Sequence, residues 1–449
     1  MIFGKFIIDY ERTLYVIYFF KVASWCFIYK NLNQNGKAMI YVEKIVNQGY
    51  KFKILPTDEQ KDFFLQCFGC ARKIYNLYVD ELYSKLEVNG YENGFIDAKS
   101  LNLSKYADFK KRYDYMKNVD SQALCSAKQN FKSAISKFNK EYDKKTYTKR
   151  SRKREKTLGI KPTFKDLKGM PKFKSKKKND FSYTTYNQSQ KGTWPFITLE
   201  NTMLKIPKVK TLIKVKQHRP IPKNSIIKNC TISMDNRGVY YVSLCVEYTI
   251  NIEHKKVDKN KILGLDYSQH DFYYSSDGKK ANYPHYYRKS EEKLKRLQRS
   301  LSRKQLKSNN WIKAKQKITT LQSHIANQRR DFLHKESRRL ANIYDVIIVE
   351  DIDLRNMAQC LKLGKNLHDN GFGMFRVFLQ YKLEEQGKQF IKIDKWFPSS
   401  KTCSCCGNIK ENLKLSDRVY KCDKCGLIID RDYNAGLNIK ECGTRLIAW

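Results

Sequence analysis

Acidic residues are scarce in this chain. Its 449 residues hold 45 Asp and Glu against 88 Lys and Arg, a formal net charge of +43. That excess goes far beyond what solubility needs and implies a polyanionic partner. A long apolar run is also lacking. The one ambiguous stretch, Leu14 to Tyr29, is interrupted by Lys21 and is too short and too broken to span a bilayer. No convincing small-residue cleavage site follows it, so it does not read as a secretion signal either. A membrane surface is thereby disfavoured and nucleic acid remains. The 30 Tyr and 24 Phe suit base stacking as well as core packing. A disulfide framework is missing too. The 13 cysteines are odd in number, and most are scattered singly or set inside apolar patterns. That usage fits a reducing cytoplasm. Finally, no histidine stands where a catalytic or metal site would need it. His324 and His334 are ten residues apart, about 15 Å along a helix, and cannot share an ion.

What is present is a set of acids at the ends of apolar segments. Asp266 closes Ile262-Leu263-Gly264-Leu265-Asp266, and Glu350 closes Val346-Ile347-Ile348-Val349-Glu350; both runs read as short, fully buried strands. Asp432 lies in Asp430-Arg431-Asp432-Tyr433-Asn434-Ala435, the predicted start of a closing helix. Each acid alone is equally well explained as a cap or a solvent-facing charge. Three acids at strand ends and a helix start can converge, however, and three carboxylates without a histidine suit a hard cation such as Mg²⁺. Two such ions about 4 Å apart clamp the attacking and leaving oxygens of a phosphodiester.

Residues 1–38 look unlike the rest, as an N-terminal extension from an over-long start would. Tyr50 to Pro56 alternates as a strand, and Thr57 with Gln60 predicts a capping box opening a helix. Cys67 and Cys70 form a CxxC at helical spacing with no second pair nearby, which favours core packing. A second helix is predicted from Ser121 to Phe138. The segment Lys144 to Lys178 carries 16 Lys and Arg against Glu155 and Asp166 alone, and reads as a mobile, phosphate-contacting arm. Residues 195–250 read as short antiparallel strands of a small barrel, with a hairpin turn at Asp235-Asn236-Arg237-Gly238. Lys289 to Leu340 is a basic helical hairpin striped by Leu294, Leu297 and Leu301, then by Trp311, Ala314, Ile318, Leu321 and Ile325. With the strand at Phe390–Ile393 this gives a βββαβαβ-like order, the α/β ribonuclease-H-like arrangement. The predicted layout is a barrel over 39–56 and 170–257 and a helical module with its basic arm over 57–169. A nuclease-type domain over 258–398 and 427–449 follows, with an insert at 399–426.

That insert holds Cys403-x2-Cys406-x15-Cys422-x2-Cys425. Two such knuckles make a four-thiolate, tetrahedral zinc ribbon with no open position, hence one structural Zn²⁺. Cys405 is the spare thiol.

With these residues in view, the chain resembles the TnpB family of transposon-associated RNA-guided DNA nucleases, relatives of the compact type V CRISPR effectors. The resemblance runs from about Tyr50 to Ile439. It rests on Gly264-Leu265-Asp266, Leu301-Ser302-Arg303-Lys304, Asn327 to Lys335, Val349-Glu350-Asp351, Phe397-Pro398-Ser399-Ser400-Lys401-Thr402-Cys403-Ser404, the ribbon, and Asp430 to Ala435. It implies Asp266, Glu350 and Asp432 as the acids of a RuvC domain holding two Mg²⁺. By the family pattern the ligand is the Asp directly before Tyr-Asn-Ala, Asp432 rather than Asp430. It further implies a wedge-type barrel and a recognition module holding a guide RNA, from a transposon end or CRISPR-like. Double-stranded target DNA would be cut beside a short motif in the cytoplasm, by a monomer with its RNA or, alternatively, a dimer. A protein-only nuclease or transposase, and a guide-dependent repressor that does not cut, are the competing readings; the repressor would be expected to have lost acids. Two features depart from the family pattern: residues 1–38 are foreign to it, and the Ser121-Gln122 region is too divergent to carry over the motif-reading residues.

Overall fold

The computed structural model describes residues 5–10, 13–18, 26–32, 38–89, 95–97, 101–140, 146–176, 181–187, 196–253, 257–354, 369–414 and 417–447, with side chains from residue 43 onward. Two compact units result: residues 46–249, and residues 1–45 together with 250–449.

In the first unit, α1 (Asp58–Asn89) opens on the predicted capping box. Thr57 N–H donates to Gln60 Oε1 (3.1 Å) and Gln60 N–H to Thr57 Oγ1 (3.3 Å). Gln60 Nε2 also donates to Thr211 Oγ1 (2.8 Å), which fastens the helix start to the strands. The inner face of α1 buries Phe64, Cys67, Phe68, Cys70, Ile74 and Tyr78. Cys67 and Cys70 are core residues, and burial pushes the Cys67 thiol up to about 12. α2 (Tyr106–Arg112) and α3 (Ser121–Lys140) follow; α3 packs Leu124, Phe131, Ile135 and Phe138 into the same core.

The basic segment is more ordered than its composition predicts. α4 (Lys149–Leu158) is capped by Thr148, whose hydroxyl accepts from Ser151 N–H, and ends on Gly159 at φ 67°. Arg154 pairs with Asp166 at 2.8 Å. Caps and one ion pair, not an apolar stripe, hold this helix, so periodicity does not reveal it.

The strands are β1 (Lys5–Tyr10), β2 (Thr13–Tyr18), β3 (Cys26–Leu32), β4 (Ala38–Leu55), β5 (Ser182–Tyr186), β6 (Thr198–Glu200), β7 (Met203–Lys205), β8 (Ile213–Lys216), β9 (Ile226–Met234) and β10 (Tyr240–Glu253). β1 and β2 pair with each other. The others form a sheet ordered β5-β9-β10-β4-β8-β7-β6, with β3 also on β4. Residues 1–4, 11–12, 19–25 and 33–37 of the expected extension lie outside the described residues.

The second unit is built on the sheet β12-β11-β13-β14, from β11 (Ile262–Ser268), β12 (Phe272–Ser275), β13 (Val346–Glu350) and β14 (Gln389–Ile393). β11, β13 and β14 are parallel and β12 is antiparallel. Among the described residues, a third antiparallel strand is reduced to one bridge, Tyr274 with Lys280, which corrects the βββαβαβ expectation. The crossovers are α5 (Tyr286–Ser302) with α6 (Asn309–Ile343), then α7 (Phe372–Glu384). Leu263, Leu265, Ile347 and Val349 share one core cluster with residues of α6 and α7, such as Leu340 and Leu379. Ile262, Val346 and Ile348 pack with Ile439 of α8 (Arg431–Thr444). A sheet covered on both faces needs continuous apolar strands, which is why β11 and β13 were legible. β15 (Val419–Lys421) and β16 (Ile428–Asp430) pair as a hairpin that runs past the expected end of the insert at residue 426. None of the described helices is long and apolar enough to cross a membrane.

Candidate nuclease site and cysteine cluster

Parallel pairing puts two of the acids side by side. Leu265 of β11 is in register with Val349 of β13, so the next residues, Asp266 and Glu350, emerge together. The period-2 alternation puts both on the face that carries Ile262, Val346 and Ile348, which is the face α8 covers. Asp432 sits in the first turn of α8.

Three glycines let that helix lie directly on the sheet. A Cβ on Gly264 would stand 2.4 Å from Gly436 O and 2.6 Å from Lys440 N; one on Gly443 would meet Ile348 Cγ2 at 2.3 Å. One on Gly436 would come within 3.1 Å of Ser276 N. Any side chain at Gly264 or Gly443 would push the helix, and Asp432 with it, away from the strand ends.

The electrostatics follow from this crowding. Burial, then the charges of Glu350 and Asp432, push the Asp266 carboxyl well above its ordinary range. Burial raises Glu350 as well, opposed by the Ser399 hydroxyl, which donates to Glu350 Oε1. Asp432 Oδ1 accepts from Arg431 Nε (3.2 Å) and Nη2 (3.1 Å), and Arg418 Nη1 lies 3.6 Å from Oδ2. Among the described residues the three acids do not gather their oxygens within 4.8 Å of one another, as the four cysteines do their sulfurs.

The two neighbouring acids are differently employed. Asp430 is exposed and caps α8, its Oδ1 accepting from Asp432 N–H (3.0 Å) and Tyr433 N–H (2.9 Å). Asp351 is exposed and pairs with Arg376 (3.5 Å) and Lys392 (3.6 Å). His334 stacks on Phe378 with ring centroids 3.9 Å apart, a packing role, and His324 is exposed.

The Sγ atoms of Cys403, Cys406, Cys422 and Cys425 all lie within 4.8 Å of one another, and no disulfide joins them. The Cys403–Cys425 and Cys406–Cys422 separations are both 3.6 Å. That is far beyond a sulfur–sulfur bond. It is close to the edge, about 3.8 Å, of a tetrahedron with 2.3 Å zinc–sulfur bonds. The backbone N–H groups of Cys425 and Lys424 hold the Cys422 thiol down at about 6, which favours a thiolate ligand.

Two side chains without an assigned role join the two clusters. Asn434 Nδ2 donates to Thr402 O (2.7 Å), and Asn434 Oδ1 accepts from Ser404 N–H (3.0 Å). Asn438 Nδ2 donates to Ser399 O (2.8 Å) and Thr402 O (2.6 Å). The helix that carries Asp432 thus grips the strand of chain running from Ser399, under Glu350, to Cys403. The available signal was two asparagines four apart in the predicted closing helix.

Three family models match in chain order: a helix-turn-helix domain at residues 45–88, a family described as "Probable transposase" at 243–361, and the Cas12f1-like TNB domain at 372–439. A protein of Streptomyces pristinaespiralis named "Putative RNA-guided DNA endonuclease" is 29% identical over 400 residues, covering 89% of this chain and 90% of its own. A TnpB-like protein of Acanthamoeba polyphaga mimivirus is 24% identical over 433 residues, 88% of this chain and 73% of its own. The fold resembles Cas12f1 as seen by cryo-EM with its sgRNA and target DNA, at a TM-score of 0.55 and 16% identity over 86% of this chain and 83% of that one. Matched by these models in sequence order and by relatives along nearly its whole length, the chain is a TnpB-like protein.

Proposed function

We propose that the protein is an RNA-guided DNA endonuclease of transposon origin, with a ribonuclease-H-like RuvC site of Asp266, Glu350 and Asp432. The observation that carries this reading is the placement of Asp266 and Glu350 at the adjoining ends of parallel β11 and β13, beneath the helix that bears Asp432. In this reading residues 46–249 supply the wedge-like barrel and recognition module that hold the guide.

The donor set fits hard divalent cations. It offers only carboxylate oxygens, and burial together with their mutual repulsion raises Asp266, a cost that positive charge would relieve. When bound, two Mg²⁺ would neutralise the scissile phosphate and supply a hydroxide nucleophile. The chain's own residues do the rest. Ser399 fixes the orientation of Glu350 and favours its ionised form. Asp430, by capping α8, sets the direction of the first turn from which Asp432 projects. Arg431 and Arg418 screen Asp432 until a cation takes their place. The cysteines would hold one structural Zn²⁺, with no position left for substrate.

The test is cleavage by RNA-loaded Asp266→Ala, Glu350→Ala and Asp432→Ala proteins. Each should lose on the order of a thousandfold or more in rate, and the double variants should lose little further, because the acids act as a unit. Guided DNA binding should survive in all three, as measured by mobility shift. Normal cutting by Asp432→Ala, or a greater loss in Asp430→Ala, would move the ligand to the wrong acid for this reading.

A further inference from the structure

The first unit contains a recess of about 420 Å³, counting the space open to solvent, between α1, α3 and β5. Its lining includes Arg72, Lys174, Ser126, Asn130 and Ser182, together with apolar and aromatic walls such as Phe68 and Tyr75. No Asp or Glu is among the lining residues. Arg72 Nη1 is fully shielded from solvent and, among the described residues, has no hydrogen-bond partner. The position of Lys174 is fixed: its backbone N–H donates to Asn76 Oδ1 (2.8 Å), its carbonyl accepts from Asn76 Nδ2 (2.9 Å), and its ammonium lies 4.5 Å from the Tyr75 ring centroid.

A guanidinium nitrogen shielded from water without an acceptor is costly, and guanidinium groups keep their charge, so the cost is not relieved by losing a proton. Structures keep such a group when something else supplies the acceptor. Two cations, an amide and several hydroxyls around a recess lined by no Asp or Glu suit an anion with several oxygens as that acceptor. We propose that this recess is a phosphate-binding subsite, in which Arg72 and Lys174 together hold one backbone phosphate of a bound polynucleotide.

This rests on the nucleic-acid-binding function proposed above and adds a specific docking point to it. The phosphate could belong to the guide RNA or to the target DNA, and the two arms of the test separate them. In each arm the full chain is titrated over a salt series: with guide RNA in the first, and, already RNA-loaded, with target duplex in the second. Arg72→Met should weaken one of the two affinities about tenfold or more and reduce its salt slope by about one phosphate. Lys174→Met should reduce the same slope. The double variant should lose no more than about one phosphate in total, because both cations hold the same group. A thermal melt checks that each variant folds; if Arg72→Met does not, Lys174→Met and Arg72→Lys carry the test. Slopes unchanged in both arms, or losses that add to two phosphates, would overturn the proposal. Failure of the wild-type protein to bind guided DNA at all would instead overturn the function on which it rests.

Discussion

A residue proposed to serve catalysis can be a burden to the fold, and Asp266 is placed to show it. Its native carboxyl is held well above the ordinary value of 3.8 by burial and by Glu350 and Asp432. Between that ordinary value and the raised native one, the folded chain keeps a proton that the unfolded chain has lost. Stability therefore falls as pH rises through this window, and the full penalty is present once the pH has passed the raised native value. Asp266→Asn removes it without changing side-chain volume. In EDTA at pH 7.5 the variant should melt higher than wild type, by about 2 °C for each kcal/mol of repulsion relieved. It should not cut DNA. Adding Mg²⁺ should raise the wild-type melting temperature and leave the variant's nearly unchanged, since the ion stabilises only the state that binds it. A variant that melts lower than wild type in EDTA would mean that Asp266 is a structural acid rather than one of a repelling set.

At the scale of the element, α8 does several jobs in 14 residues. It starts on the Asp430 cap, presents Asp432, grips the Ser399–Ser404 segment through Asn434 and Asn438, and seats itself on the sheet at Gly436 and Gly443. The cysteine cluster is therefore mechanically joined to the acids. Cys422→Ser should lower bound metal from one zinc per chain to a small fraction, as read by elemental analysis, because structural zinc supplies about 10–16 kcal/mol of apparent binding energy to its fold. Proteolysis should then reach residues 403–430, and cleavage should fall with the zinc while guide RNA binding persists. A zinc-free protein that cuts at the wild-type rate would contradict this coupling. Much of this element, and of the site, was legible in sequence. The strand ends announced Asp266 and Glu350 because a sheet buried on both faces has to be apolar up to the point where it emerges. The two CxxC pairs announced the ribbon because zinc fixes their spacing. Ser399, Asn434 and Asn438 were not legible in role, since each acts on a backbone carbonyl or carboxylate that only tertiary packing brings near. The same holds for α4, whose order rests on Thr148, Gly159 and the Arg154–Asp166 pair rather than on any periodic pattern.

At the scale of the whole molecule the governing quantity is the net charge of +43. Self-repulsion on that scale disfavours a compact state unless a counter-polyanion is present. The basic residues also occur in separate segments: Lys144 to Lys178, Lys205 to Lys216, and the α5–α6 hairpin, where Arg296, Arg299, Arg303 and Lys304 line one recess. A nuclease gripping one DNA duplex would need about one such region, whereas a structured RNA together with a guide–target heteroduplex would use all of them. The protein should therefore co-purify with a discrete RNA of roughly a hundred or more nucleotides, and its assembly should weaken steeply between about 50 and 200 mM salt. Stripping that RNA with nuclease and high salt should abolish sequence-directed cutting, and adding back RNAs with new guide ends should redirect the cut to the matching sequence, since pairing rather than protein contact reads the target. If the stripped protein cut as well as the loaded one, or the cut did not follow the guide, the three basic regions would need another explanation, and a protein-only nuclease would account better for the acids at the strand ends.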